Sequence, residues 1–250
     1  MLWLSLALAA LVTFVLTTVF AMAGVGAAFV LIPVFLAFGI ELQTAMATAL
    51  LLNAIAMAIA SVTFIRKGLV EWRLVTPMLV LAVLASPFGV HVAQGLDRTV
   101  LLALFVVFLL FAALMMLFYR PKTRGTHTSI RDALMLGLPV GALAGFVGGL
   151  LGVGGGNIIV PALVAAGLEP KRASASASFV VLFASLAGFL AHVGVAKIDT
   201  TLLVSSGLAS AAGAALGAWL ASEKLGGDQL KRIIALVLIA VAAKTAWGLL

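Results

Sequence analysis

Long apolar runs with almost no charge are the feature of this sequence that most limits its possible folds. Of the 250 residues, 64% are hydrophobic and 9% are charged, whereas soluble domains are about half apolar and a quarter charged. Because lipid offers the backbone no hydrogen-bond partners and the runs lack β-barrel alternation, we predict an all-α polytopic membrane protein. Six runs are close to the ~20 residues that a helix needs to cross ~30 Å of hydrocarbon: 44–65, 74–95, 99–119, 173–193, 200–221 and 233–250.

Two further apolar runs, 2–38 and 133–168, are too long to be single spans. As one straight helix each would extend ~54 Å at ~1.5 Å per residue. Glycines interrupt both runs, so we predict that each bends there into a helical hairpin. The first 23 residues end in Ala-Met-Ala, as secretory signals do. They lack a basic leading region and a matching segment recurs in mid-chain, so we expect them to be retained.

The sequence repeats itself at a shift of 128 positions. A Gly-Val-Gly motif, a proline and a glutamate in one register are not explained by apolar composition alone, so we interpret the chain as two repeats. Residues 1–119 form the first repeat, 120–130 a polar, basic linker and 131–250 the second repeat. The shift superposes these pairs without a gap: Gly24 and Gly152, Val25 and Val153, Gly26 and Gly154, Pro33 and Pro161, Gly39 and Gly167, Glu41 and Glu169.

Loop charges predict that the two repeats are inserted in opposite directions. The loop 66–73 is basic, whereas its counterpart in the second repeat holds only Lys197. The connections 167–172 and 222–232 are basic, and their first-repeat counterparts hold only Arg98. Because cytoplasmic loops are enriched in Lys and Arg, corresponding loops prefer opposite sides, which predicts inverted-topology repeats. Each repeat then contains a glycine-bent hairpin plus three transmembrane helices; eight simple spans are the alternative.

The glycine-rich bends are the strongest candidates for a binding site. Glycine lets the backbone turn sharply and leaves its N–H groups accessible. The apolar stretch after each bend, ending near Phe38 and Ala166, is predicted to be a half-helix whose N-terminal amides and dipole favour an anion. For a single glycine, close helix packing of the small-xxx-small type is the alternative. The candidate substrate-binding residues of the two bends are Gly24, Gly26, Gly152, Gly154, Gly155, Gly156 and Asn157.

A helix that carries hydroxyl groups follows each bend. Residues four apart share a helix face, so each set is predicted to line one side of a central cavity and to bind an oxyanion. Hydrogen bonding between helices is the alternative, and for Thr48 and Ser176 it is as well supported as binding. For Asn53, which the shift aligns with Val181, packing and a one-sided contact are also open. The candidate residues are Thr44, Thr48, Asn53, Ser174, Ser176 and Ser178.

Residue types that are missing from the apolar runs narrow the function further. All eight carboxylates lie in connections or at helix ends, whereas cation pumps and proton-coupled carriers usually keep one inside the membrane. His91 and His192 lie near span ends, which favours interfacial anchoring over proton coupling, and Lys244 is expected to snorkel. The chain has no cysteine for a metal site or disulfide, and no catalytic constellation. We therefore predict an anion transporter with no cofactor, no bound metal and no enzymatic activity.

The bends resemble those of the TauE/SafE family of sulfite exporters, also called TSUP, whose halves each carry a Gly-x-Gly-Gly-Gly type of stretch followed by a proline. The second repeat matches this pattern well from Gly149 to Pro161, whereas the first has Ala27 and Ala28 where glycines are usual. The family's Gly-Thr-Ser appears as Ala-Thr-Ala around Thr48 and as Ala-Ser-Ala around Ser176. The resemblance covers essentially the whole chain.

The resemblance implies a secondary transporter that exports sulfite, organosulfonates or similar anions as a multi-pass protein of the bacterial inner membrane. A carrier or channel for a non-sulfur anion and a membrane scaffold without transport are the alternatives. The expected partners are a small anion and the lipid bilayer. The net charge of +7 arises mostly from short connections rather than from a basic patch, so we expect no nucleic-acid partner. The oligomeric state stays open.

Overall fold

A computed structural model describes residues 2–118, 130–193, 196, 200–223, 239, 242–243 and 245–247. The predicted linker, Lys197, Lys244 and most of the run 233–250 lie outside these described residues. The helices that are described from end to end are, in chain order, α1 (Leu2–Met22), α2 (Ala28–Ala37), α3 (Leu42–Arg66), α4 (Trp72–Gln94), α5 (Arg98–Phe118), α6 (Ile130–Leu151), α7 (Gly156–Ala165), α8 (Pro170–His192) and α9 (Thr200–Glu223).

Helix lengths confirm the prediction of an all-α polytopic membrane protein. Six of the described helices are long and apolar enough to cross a bilayer, namely α3, α4, α5, α6, α8 and α9. The helices α2 and α7 have ten residues each, and at ~1.5 Å per residue they reach about halfway across the hydrocarbon. They are the half-helices that the sequence predicts. The helices before them, α1 and α6, have 21 and 22 residues, so each predicted hairpin has one long and one short arm.

The helix boundaries recur at the shift of 128. The short helices 28–37 and 156–165 correspond at both ends, and α3 and α4 begin 128 positions before α8 and α9. Both short helices are followed by a glycine with positive φ, Gly39 and Gly167. The left-handed conformation is unfavourable by about 1–2 kcal/mol for a residue that has a Cβ atom, which explains why glycine follows each helix. The bend and the short helix therefore fall at equivalent positions in the two halves, because the same glycines recur there.

Helices from different halves make the most extensive contacts. The helix α1 packs along α9, and α6 packs along α4, while α3 packs against α8. The shift converts the first of these pairs into the second, because α1 corresponds to α6 and α9 to α4. Each half therefore holds the first helix of the other, and the two halves are interlocked.

Glycine contacts give the relative direction of the paired helices. Methyl groups placed on successive glycines of α6 would overlap the backbone of α4, and the positions rise together along both chains, so these helices run parallel. The α4–α6 pairs are Gly141 with Met78, Gly145 with Ala82 and Gly149 with Ser86. The α1–α9 pairs rise together in the same way: Phe14 with Gly213 and Thr18 with Gly217.

The helix α8 runs parallel to α4 and antiparallel to α3. Its contacts with α4 rise together along both chains: Trp72 with Phe179, Ser86 with Ala184 and Gln94 with Ala191. Its contacts with α3 move in opposite directions: Leu50 with Gly188 and Asn53 with Ser185. Since α3 and α8 belong to different halves, their crossing brings the two halves together along the centre of the bundle.

Candidate functional site

Both bends are buried, and glycines provide their left-handed backbone. Residues 23–32 and 151–157 are all buried. Among them, Gly24, Gly26, Gly152, Gly154 and Gly155 have φ between 69° and 79°. An L-residue with a side chain costs about 1–2 kcal/mol in this region, so the turn requires glycine.

Alanine is accepted at one bend position for a visible reason. Ala27 has φ of −102°, whereas its counterpart in the repeat, Gly155, has φ of 79°. The first bend therefore uses one left-handed residue fewer than the second. Its departure from the glycine-rich family pattern reflects a slightly different turn and leaves the short helix in the same place.

The side chain of Asn53 lies between the two bends. A methyl group on Gly26 would overlap its amide, and one on Gly154 would lie 2.6 Å from its Nδ2. The Nδ2 atom donates a hydrogen bond of 2.9 Å to Ser185 Oγ, while the buried Oδ1 has no partner among the described residues. Asn53 stands near the middle of α3. Asn53 therefore contacts both bends, one from each half, about midway along the bundle.

The two bends also contact each other and the opposite halves directly. A methyl group on Gly156, at the start of α7, would meet the carbonyl of Val25. In the same way Gly24 lies against the backbone of Ser174 in α8, and Gly152 lies against Met46 in α3. Since the shift aligns Met46 with Ser174, these are corresponding contacts. The two bends therefore converge within the bundle.

Several backbone N–H groups of the bends have no hydrogen-bond acceptor. In the first bend these are the amides of residues 25–29, and in the second those of residues 155–157, as far as the described chain shows. The first amides of a helix have no partner within it, and here no side chain caps α2 or α7. A buried amide without an acceptor is unfavourable by about 1–3 kcal/mol. The converging bends are thus a concentrated set of unsatisfied donors.

The predicted hydroxyl groups do not all converge on the bends. Ser176 Oγ accepts a 2.9 Å hydrogen bond from the backbone N–H of Glu71, and Ser178 Oγ donates one of 2.8 Å to the carbonyl of Ser174. For Ser176 the structure therefore supports the packing alternative. Thr44 and Thr48 are buried in α3, but they precede Asn53 by about 13 Å and 7 Å along the helix axis.

Asn157 and Ser185 complete the polar side chains near the bends. Asn157 lies in the first turn of α7, buried, and neither of its amide atoms has a partner among the described residues. Ser185, which contacts both Asn53 and Gly154, was missed by the sequence analysis. It lies seven residues after Ser178, on the same helix face, so extending the hydroxyl pattern by two turns identifies it.

An ion pair joins the two halves near the start of α4 and α8. Arg172 Nη2 lies 3.1 Å from Glu71 Oε2, with the two side chains 39% and 25% exposed. The rings of Trp72 and Phe179 meet edge to face beside it, 5.1 Å apart. The sequence analysis did not single out this pair, because the shift aligns Arg172 with Thr44 and so gives no repeated charge.

The two histidines of the spans have different environments. His91 is exposed, as an interfacial residue is expected to be. His192 is fully buried, and its Nδ1 lies 3.0 Å from the carbonyl of Gly188. Interfacial anchoring is therefore not the environment of His192, because its side chain is buried within the protein although the neighbouring Leu190 and Val193 are exposed.

The chain is similar to known proteins over most of its length. The sulfite exporter TauE/SafE family matches residues 9–245. A probable membrane transporter protein of Sinorhizobium fredii is 29% identical over 209 residues, which are 80% of this chain and 81% of the relative. One from Xylella fastidiosa is 27% identical over 187 residues, 72% of this chain and 71% of the relative.

A plant protein shares a shorter segment with the chain. Sulfite exporter TauE/SafE family protein 1 of Arabidopsis thaliana is 53% identical over 49 residues, 19% of this chain and 11% of the relative. No solved structure matches the chain significantly. The similarity is therefore one of sequence, and in the bacterial relatives it extends over most of this chain.

Proposed function

Since this chain belongs to the TauE/SafE family of sulfite exporters and is a multi-pass membrane transporter, we propose that it is a secondary carrier that exports small sulfur-containing anions, such as sulfite or organosulfonates. The anion binds where the two glycine bends meet. Because the bends are in direct contact, passage of a solute requires the two halves to move apart around that point.

The unsatisfied amides of the converging bends are the observation that carries this proposal. Two helix N-termini, those of α2 and α7, begin at the contact, and each contributes a partial positive charge. Asn157 Nδ2 is a further buried donor, and it has no partner among the described residues. An oxyanion accepts several hydrogen bonds at once, so one small anion satisfies donors that the protein leaves unpaired. This set of donors is uncharged, which allows release as well as binding.

Helix directions support the inverted arrangement of the two repeats. The loops 67–71 and 193–199 hold five and seven residues, which reach at most ~17 Å and ~25 Å. Neither loop reaches across ~30 Å of hydrocarbon, so α3 and α4 are antiparallel, and so are α8 and α9. Since α4, α6 and α8 run parallel, and α1 runs parallel to α9, the helix α1 is antiparallel to α6. These two are repeat equivalents, and their opposite directions support an inverted arrangement of the halves.

The same directions bring the basic connections to one face of the membrane. The side where α4, α6 and α8 begin holds most of the described basic residues at helix ends: Arg66, Arg73, Arg131, Lys171 and Arg172. Arg98, at the start of α5, falls on the other side. We name the first side the basic face; by the enrichment of Lys and Arg in cytoplasmic loops, it is the cytoplasmic side.

Ligand-dependent stabilisation and flux test the proposal. We expect sulfite or an organosulfonate to raise the unfolding temperature of the purified protein, with about 2.7 kcal/mol of stabilisation at one hundred times its Kd. Labelled sulfite should cross vesicles with saturable kinetics, measured at several proton gradients. Preference for phosphate would indicate a non-sulfur anion, preference for sulfate would indicate a different sulfur oxyanion, and a current without saturation would indicate a channel. A transport function would be contradicted if none of these anions stabilised the protein and none crossed the vesicles.

A matched pair of glycine variants tests the location of the site. Gly26 and Gly39 have φ of 74° and 81°, so alanine is strained by about 1–2 kcal/mol at either position. A methyl group on Gly26 meets Asn53, whereas one on Gly39 meets nothing within 4 Å. We expect Gly39→Ala to retain sulfite flux and Gly26→Ala to lose most of it, with equal membrane insertion. Equal flux in the two variants would argue against the bend as the site.

A further inference from the structure

Arg172 places a positive charge near the start of α8, the helix that contacts the first bend. It lies in the first turn of α8, two residues before Ser174, whose backbone contacts Gly24. The polar side chains at the centre of the bends, those of Asn53, Asn157 and Ser185, are uncharged. The start of α8 lies at the basic face, so Arg172 is a partly exposed cation at that face, on the helix whose Ser174 contacts Gly24.

The guanidinium of Arg172 has unused hydrogen-bonding capacity. An arginine carries five N–H donors, and the ion pair of 3.1 Å engages Nη2 with Glu71 Oε2. The Nε atom is buried and has no acceptor within the described chain. With 39% of the side chain exposed, water and small solutes reach the group. A planar fork of donors at such a place suits a tetrahedral or pyramidal oxyanion, which binds through two oxygens at once.

Glu71 is held in place independently of Arg172. Its backbone N–H donates to Ser176 Oγ, and its carbonyl accepts hydrogen bonds of 3.1 Å from the amides of Leu74 and Val75. These bonds fix the first turn of α4, so the Glu71 carboxylate is able to leave the guanidinium without moving the helix. An incoming anion therefore replaces the carboxylate as the acceptor of the guanidinium, and the displaced Glu71 carboxylate, which is 25% exposed, is hydrated instead.

We propose that Arg172 captures the anion at the basic face and that Glu71 is its exchangeable counterion; this rests on the proposed function. The repeat equivalent of Arg172 is Thr44, so the opposite half has no corresponding cation. Capture is therefore one-sided, and the carrier has a lower KM for anion on the basic face. At equilibrium a carrier favours neither direction, so the difference in KM is balanced by the maximal rates. Binding at low internal concentration suits export.

Sulfite flux in oriented vesicles, with KM measured from each face, tests the capture role. A partly exposed charge-assisted hydrogen bond predicts that Arg172→Gln raises KM on the basic face about three- to tenfold, with kcat within about twofold of the wild type. Glu71→Gln should lower KM on that face, because it removes the competing carboxylate. Arg172→Lys should restore part of the affinity. Arg131→Gln is the control, since Arg131 is an exposed cation in the first turn of α6 at the same face.

Opposite shifts in KM distinguish capture from a structural ion pair. If the pair only holds the halves together, Arg172→Gln and Glu71→Gln change flux in the same direction and on both faces, which would overturn the role of Arg172. An unchanged KM in Arg172→Gln, with normal wild-type flux, would also overturn it and leave the proposed function standing. Wild-type protein that neither binds nor carries sulfite would overturn both proposals.

Discussion

The α4–α6 and α1–α9 contacts occupy equivalent places in the two repeats, yet different residues build them. In the first contact, glycines of α6 let two backbones touch. In the second, buried hydroxyl groups stand at the positions that correspond to Gly141, Gly145 and their α4 partners, whereas Ala21 corresponds to Gly149. The aligned pairs are Gly141 with Thr13, Gly145 with Thr17, Met78 with Ser206 and Ala82 with Ser210. One backbone arrangement is thus achieved with a tight apolar contact and with a polar one.

The difference shows which contact is easier to separate. Helices in lipid associate through packing and hydrogen bonds, because the lipid tails are as apolar as the side chains. The glycine contact uses close packing along its length. In the hydroxyl contact Ser210 Oγ donates to the carbonyl of Leu52, but Thr13, Thr17 and Ser206 have no partner for their hydroxyls in the described part of the chain. We therefore expect α1 and α9 to part more readily than α4 and α6.

Substitution of a contact glycine by leucine should have the largest effect. Gly145→Leu places a side chain against the backbone of Ala82, and we expect a loss of about 3 kcal/mol or more and poor recovery of folded protein. Thr17→Leu, at the equivalent position, replaces a side chain that α9 already accommodates and should cost about 1–2 kcal/mol. Thermal unfolding in detergent measures both. Equal losses would mean that the two contacts are equally tight.

Alanine at the glycines that the two contacts share should have an intermediate effect. Gly89 meets the carbonyl of Phe146, and its equivalent Gly217 meets that of Thr18. Because both meet backbone at corresponding positions, we expect Gly89→Ala and Gly217→Ala to cost similar amounts, about 1–2 kcal/mol each. The unfolding temperatures of the two variants check this. A difference above about 1 kcal/mol would mean that the helix backbones are not equivalently spaced.

Removal of a satisfied hydroxyl should have a smaller effect. Ser210→Ala deletes the 3.0 Å hydrogen bond to Leu52, which joins α9 to α3, and we expect a loss of about 0.6 kcal/mol. Ala82→Ser adds a hydroxyl at the matched position and serves as the control. A loss of several kcal/mol in Ser210→Ala would show that Ser210 supports more than this one bond.

Removal of an unsatisfied hydroxyl should have the smallest effect. Thr13→Val keeps the shape of the side chain and deletes a buried hydroxyl that has no partner among the described residues. We expect the stability to change by less than about 0.5 kcal/mol, or to rise slightly, because no bond is lost and less polar surface is buried. Clear destabilisation, measured by the same unfolding assay, would mean that a water or an alternative rotamer satisfies Thr13 in the membrane.

The sequence predicted the elements of the fold better than their partners. Lengths of apolar runs located the spans, and the glycines located the bends and the two ten-residue helices. The pairing of α1 with α9 was not predictable, because helices that are apolar all round have no periodic face that identifies a neighbour. At the candidate site, the structure brings the predicted glycines and Asn53 together, whereas Ser176 accepts a hydrogen bond from the backbone at the start of α4. Spacing alone fixes which residues share a face, but it does not fix which helix that face meets.

The interlocked pairing of α1 with α9 and of α6 with α4 affects how the chain is made. During synthesis α1 leaves the ribosome about two hundred residues before α9, so it waits in the translocation machinery or in lipid without its partner. Contacts between such distant segments slow assembly and expose unfinished intermediates to proteolysis. Stable packing is then expected only after the second half has been inserted, and a chain truncated after α5 is expected to be degraded rather than to accumulate.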